Sequence, residues 1–175
     1  MAQHEALREL QARLVERLGA ARAEPAAAAA WLAVEAGGAA FLLPLADAGE
    51  IFPDAGIVGL PHTQPWFRGV ANLRGVLHGV VDLAAFLGLA ARGADSVRDA
   101  SRLVALNPAL GAMAALRVER LMGLRRADEM THDTPAEGAR PAFAKGRWRD
   151  AGGRLWEEID LAALAANERF LAIAA

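Results

Sequence analysis

His4, His62, His78 and His132 are the side chains of this chain best suited to hold a metal or move a proton near neutral pH. None stands at metal-ligand spacing from another histidine or from a helical carboxylate pair. His78 lies in an apolar strand run, where a packed ring is the ordinary reading. Ser96 and Ser101 are the only serines, and neither sits in the context of a nucleophile elbow. The chain has no cysteine, which excludes disulfide scaffolds, thiolate zinc sites, iron–sulfur clusters and a thiolate nucleophile. No glycine-rich phosphate loop is present. Glu157 and Glu158 are adjacent in a strand run, so their carboxylates point to opposite faces and cannot work as a facing pair. A hydrolase built on His62 or His78 with Asp82 lacks a nucleophile. The chain reads as a protein with no catalytic, metal-ligating or cofactor-binding residues.

Two segments carry other chemistry. Arg140, Lys145, Arg147, Arg149 and Arg154 surround Phe143 and Trp148, with Asp150 as the acid among them. Aromatics on strands amid arginines can stack bases, so a small-barrel nucleic-acid module on the Arg140–Arg154 hairpin is the alternative function. The ordinary reading is a solvated hairpin whose aromatics face the core. The second segment is PHTQPWFRGVANLRGVLHGVVDL, Pro61 to Leu83. Gly69 lets the backbone enter the strand without a side chain. Asn72 is polar within an apolar run and needs hydrogen-bond partners if buried. Arg74 stands beside the Gly75 turn, on the same face as Asn72 two residues away, where its guanidinium can project as a five-donor fork. Asp82 ends the second run and can accept amides from a turn or a helix start. This pattern suits recognition of a protein better than catalysis.

The elements that position these groups are short. Trp31–Glu35 and Ala39–Leu45 flank Gly37-Gly38, a hairpin signal. Residues 53–65 hold three prolines and two glycines, which is loop chemistry. Val70–Arg74 and Val76–Asp82 flank Gly75, and Leu83–Leu89 reads as one or two helical turns. Residues 91–100 are polar and read as exposed. Leu103–Asn107 and Met113–Val118 form a hairpin across Pro108–Gly111, residues 127–142 read as a long loop, and Phe143–Arg149 with Arg154–Ile159 form the last hairpin. Asp160 is placed to cap a C-terminal helix. At the other end, Leu7, Leu10, Leu14, Val15 and Leu18 gather on one face of an amphipathic helix over residues 3–23, followed by a tether. The division expected is an N-terminal helix and linker over 1–30 and one domain over 31–175.

Composition agrees. With 175 residues, 54% of them hydrophobic, the chain is long enough for one domain or two subdomains sharing a core. Nineteen basic residues against 21 acidic ones, a net charge of −2, give no global pull toward nucleic acid or an anionic membrane. Eighteen of those bases are arginine and one, Lys145, is lysine. The most apolar window, Pro25 to Ala46, is broken by Glu35, Gly37-Gly38 and Pro44, and does not read as a membrane span. The first 30 residues lack a basic region feeding an apolar core, so they do not read as a secretory signal, and a cytoplasmic location is expected.

Trp66-Phe-Arg-Gly-Val-Ala-Asn-Leu-Arg-Gly75, followed by Val80-Val-Asp-Leu83, resembles the core signature of the CheW family of chemotaxis coupling proteins. Glu50-Ile51 upstream and Leu116–Leu124 downstream are similar to further family segments, so the resemblance covers about residues 30–165. The N-terminal extension and the tail from Asn167 make the chain most similar to the type IV pilus, twitching-motility branch. The resemblance implies a mainly β fold of two packed five-stranded, SH3-like barrel subdomains with helices at both termini. It implies no activity or cofactor, but an adaptor in a cytoplasmic array at the membrane, coupling a chemoreceptor tip to the regulatory domain of a CheA-type histidine kinase. By position it implies partner contact at Ala48, Glu50, Trp66, Arg68, Gly69, Asn72 and Arg74, with Gly75 and Asp82 as structural turn residues. The chain departs from the family pattern at Ala48, usually a branched apolar residue, at Pro44 within a strand, at Gly79 where proline is frequent, and at Glu119 in place of Asp.

Overall fold

The computed structural model describes residues 30–89, 101–134 and 140–175. The helix expected over 3–23, its tether and the stretch 91–100 lie outside the described residues. Eleven strands follow one another among the described residues: β1 Ala30–Ala36, β2 Ala39–Pro44, β3 Ala48–Pro53, β4 Phe67–Leu73, β5 Val76–Asp82, β6 Arg102–Leu106, β7 Ala114–Val118, β8 Arg120–Arg126, β9 Met130–Asp133, β10 Ala144–Asp150 and β11 Leu155–Ile159. Three short α-helices accompany them among the described residues: α1 Leu83–Phe86, α2 Leu161–Ala165 and α3 Glu168–Leu171. No helix among the described residues is long and apolar enough to cross a membrane.

The strands form two sheets, ordered β8-β1-β2-β11-β10-β9 and β3-β6-β7-β5-β4. The mainly β architecture of two packed sheets is as expected, with one more strand in the first sheet. The addition is β9, in the stretch 127–142 expected as a loop; it pairs with β10 through Thr131–Arg149 and His132–Trp148. The second sheet is one unbroken length of chain, β3 to β7, inserted between β2 and β8 of the first. Pro44 fits because it ends β2: β11 reaches only Phe41 and Leu42 on that side, so no ladder donor is lost.

Alternation explains why the strands read as continuous apolar runs. In β1, Trp31 and Ala33 enter a cluster made within the first sheet, with Ala40, Leu42, Met130 and Trp156. Leu32, Val34 and Ala36 face the other way, into a large cluster shared by both sheets and all three helices. The second sheet repeats the pattern: Leu103 and Ala105 of β6 enter its own cluster, and Val104 and Leu106 the shared one. Strands buried on both faces lose the polar half of the alternating pattern.

Turn chemistry sets the hairpins. Gly37 and Gly38 both have positive φ, 58° and 75°, as a primed two-residue turn requires. Asp82 and Asp160 cap α1 and α2, accepting the backbone N–H of Ala85 and Ala163. Gly79, where the family favours proline, donates its N–H to the Met113 carbonyl, a bond proline could not make.

Candidate docking surface

The β4–β5 hairpin is the most distinctive piece of the second sheet. Its turn is Arg74-Gly75, with φ of 52° and 86°. A non-glycine residue in the left-handed region is uncommon, and here a side chain holds it. Asn72 Oδ1 accepts the Gly75 N–H at 2.7 Å. Asn72 is exposed rather than buried, and its polar group is committed to the turn. Because Arg74 lies in the turn, strand alternation does not govern its direction. Arg68 of β4 is exposed like Asn72, on the other side of the bulge at Gly69.

The turn sends Arg74 to Glu50 on β3: Nη2 and Oε1 stand 2.6 Å apart, with the side chains 75% and 44% exposed. An ion pair this open adds about 0–1 kcal/mol of stability, so its value lies in orienting the fork. Exposed apolar residues adjoin it in sequence, Ile51 after Glu50, and Val76 and Leu77 after the turn. Sequence reasoning passed over these three, because an apolar residue in an apolar run reads as core. A cation with spare donors beside uncovered apolar groups is the composition of a protein-binding patch.

The remaining expected site residues divide. Gly69 is buried at a bulge with φ of 126°, where the chain at Val58 crosses β4. Val58 and Val70 exchange both backbone bonds, at 2.8 and 2.9 Å. Ala48 is half-buried against the shared core. Trp66 is 5% exposed and packs edge-on against Phe86 at 5.1 Å, so its ring anchors the core. The residue precedes β4 and faces the shared core, and its carbonyl accepts the Asp82 N–H. Asp82 caps α1 with one oxygen and accepts from Arg117 with the other.

The Arg140–Arg154 hairpin is internally neutralised. Arg140 and Arg147 reach Glu157, Lys145 reaches Glu158, Arg149 reaches Asp133 and Arg154 reaches Glu35. Trp148 packs on Trp31 and Phe143 lies in the shared core. No row of unpaired cations with open aromatic faces results, so the geometry does not support stacking of bases. Glu157 and Glu158 do take opposite faces, the second buried and bonded to Trp148 Nε1. His78 is buried with Nδ1 3.0 Å from the Val76 carbonyl oxygen, and His132 stands edge-on to Trp148. Among the described residues no three His, Asp or Glu side chains gather in a group that could hold a metal ion.

Asp150, at the turn of that hairpin, is held below the ordinary carboxylate range. Trp156 Nε1–H donates to it at 2.9 Å, and the backbone N–H groups of Arg154 and Gly152 and the charge of Arg125 act the same way against a desolvation cost. A lowered folded pKa contributes stability that is present above the ordinary carboxylate range and is lost as pH falls through the folded value. Asp150→Asn is therefore expected to be less stable than wild type at neutral pH and to converge with it on acidification. Denaturant midpoints measured from pH 7 down to about pH 2 check this, and a gap that widens in acid would contradict it.

A family model described as the CheW-like domain matches residues 30–169. The chain is 29% identical over 141 residues to Protein PilI of Pseudomonas aeruginosa strain PAO1, covering 79% of this chain and 76% of that protein. Its fold is similar to the crystal structure of the scaffolding protein TtCheW from Thermoanaerobacter tengcongensis. The TM-score is 0.62 at 22% identity, over 75% of this chain and 88% of that one.

Proposed function

This chain belongs to the CheW-like domain family, and from that premise we propose that it is an adaptor coupling a chemoreceptor to a CheA-type histidine kinase in an array that controls type IV pili. It acts by contact, not by turnover. The observation that carries the reading is the Arg74–Glu50 pair at a rigid hairpin tip, open to solvent and adjoined by exposed Ile51, Val76 and Leu77. A rigid turn presents the arginine without ordering it on binding, which lowers the entropic cost of docking. Similarity to Protein PilI supports the pilus output. On this reading the protein works in the cytoplasm and is recruited to receptor arrays, where many modest contacts add through multivalency.

The test is capture. The full chain is immobilised and exposed in turn to a purified CheA-type regulatory domain and to the cytoplasmic tips of chemoreceptors of pilus and of flagellar type. Saturable binding of both partners, and of both together, is expected. Failure to retain either one overturns the adaptor reading. Retention of the kinase domain with a receptor of flagellar rather than pilus type overturns the output assigned.

A further inference from the structure

We propose that Arg117, with Asp54 and Asp82, is a clasp that positions the docking pair by tying the strand that carries Glu50 to the hairpin that carries Arg74. The inference rests on the reading of that pair as a docking surface. β3 and β4 stand at opposite ends of the strand order, and no ladder joins them. Something other than sheet pairing must therefore set the distance from Glu50 to Arg74.

Three contacts close this seam. At the turn end is the Arg74–Glu50 pair itself, too exposed to hold the two edges together. Midway, Val58 and Val70 exchange their backbone bonds. At the far end stands Arg117 on β7, the middle strand. Its Nε donates to Asp54 Oδ2 at 2.6 Å and its Nη1 to Asp82 Oδ2 at 3.2 Å. Ser101 Oγ donates to the same Asp54 oxygen at 2.7 Å.

The two carboxylates are well placed for such a role. Asp54 directly follows β3, four residues from Glu50. Asp82 closes β5, and its N–H donates to the Trp66 carbonyl just before β4. One guanidinium thus grips the end of β3 and the base of both hairpin strands. Unlike the pair at the tip, the three side chains are less than a fifth exposed. Partial burial makes the grip directional, because two like charges stay close there only around a fixed cation. Without that cation the carboxylates repel, β3 and the hairpin separate, and Glu50 loses its register with Arg74.

The experiment uses full-length Arg117→Gln and Asp54→Ala. Affinity for the CheA-type regulatory domain and for the receptor tip is measured alongside hydrogen exchange at the Val58 and Val70 amides. Each variant is expected to bind both partners about tenfold more weakly, with faster exchange at Val58 and Val70 and unchanged exchange in β1 and β2. Arg117→Lys, a point charge that satisfies one carboxylate at a time, should fall between. Leu42→Val, a core change in the other sheet, should bind as wild type at comparable loss of stability. Wild-type affinity in the folded Arg117 and Asp54 variants, or an equal loss in Leu42→Val, overturns the positioning role. Asp54→Ala decides the matter if Arg117→Gln does not fold. If wild type binds neither partner the docking reading fails, and unchanged seam exchange in the variants would show separately that Arg117 is no clasp.

Discussion

Gly69→Ala is expected to lower stability by about 4 kcal/mol, at the upper end of what one added methyl does. A Cβ at this position would lie 2.0 Å from the Val58 carbonyl oxygen, 2.6 Å from its carbon and 2.8 Å from Gly59 Cα. All three are backbone atoms, so no side chain can swing aside. The segment at Val58 must lift, and its two bonds with Val70 go with it. The φ of 126° adds strain of its own. Gly75→Ala is the natural comparison. It too has positive φ, but nothing lies within 4 Å of its would-be Cβ, so only the conformational cost of about 1 kcal/mol applies. Chemical denaturation of the two variants separates collision from strain. Equal losses would show that the seam at Val58 yields easily.

Arg74→Glu is expected to leave the fold within about 1 kcal/mol of wild type and to weaken capture of the kinase domain or the receptor tip about a hundredfold. The small stability change follows from exposure, since the new carboxylate beside Glu50 is screened by water. The large binding change follows because docking removes that water and leaves an anion where the partner meets a cation. Pairing this change with Glu50→Arg restores an ion pair of reversed polarity. If the partner reads the charge of Arg74, the double variant stays weak. If the pair serves only to stiffen the turn, affinity returns. Titration calorimetry with thermal melts tells these apart, and wild-type affinity in Arg74→Glu would remove the residue from the surface.

What the sequence disclosed tracks how local each signal was. The hairpins at Gly37-Gly38, Gly75 and Gly152-Gly153, and the caps at Asp82 and Asp160, are decided within a few residues. The close approach at Gly69 was not legible, because the backbone that meets it, at Val58, belongs to a separate loop segment. β9 escaped because Thr131, His132 and Asp133 are polar and lie next to a Pro- and Gly-bearing stretch. Trp66 shows the limit of motif position, since matching a family pattern does not say which way a ring turns. The arginines of the last hairpin looked like a basic patch because some of their carboxylates come from outside it, with Glu35 lying 119 positions from Arg154. Arg117 was invisible for that reason too, as its partners lie 63 and 35 positions away.

The order of strands along the chain has a consequence for biosynthesis. As the polypeptide leaves the ribosome, all of β3 to β7 is available before the opening ribbon of β1 and β2 gains a third strand. That ribbon closes against β11 only when Glu157 can reach Phe41, after every other strand has been made. A two-stranded ribbon is marginal in water, and this one has apolar residues on both sides. Until its remaining partners are made, the nascent chain must keep this sticky ribbon from aggregating.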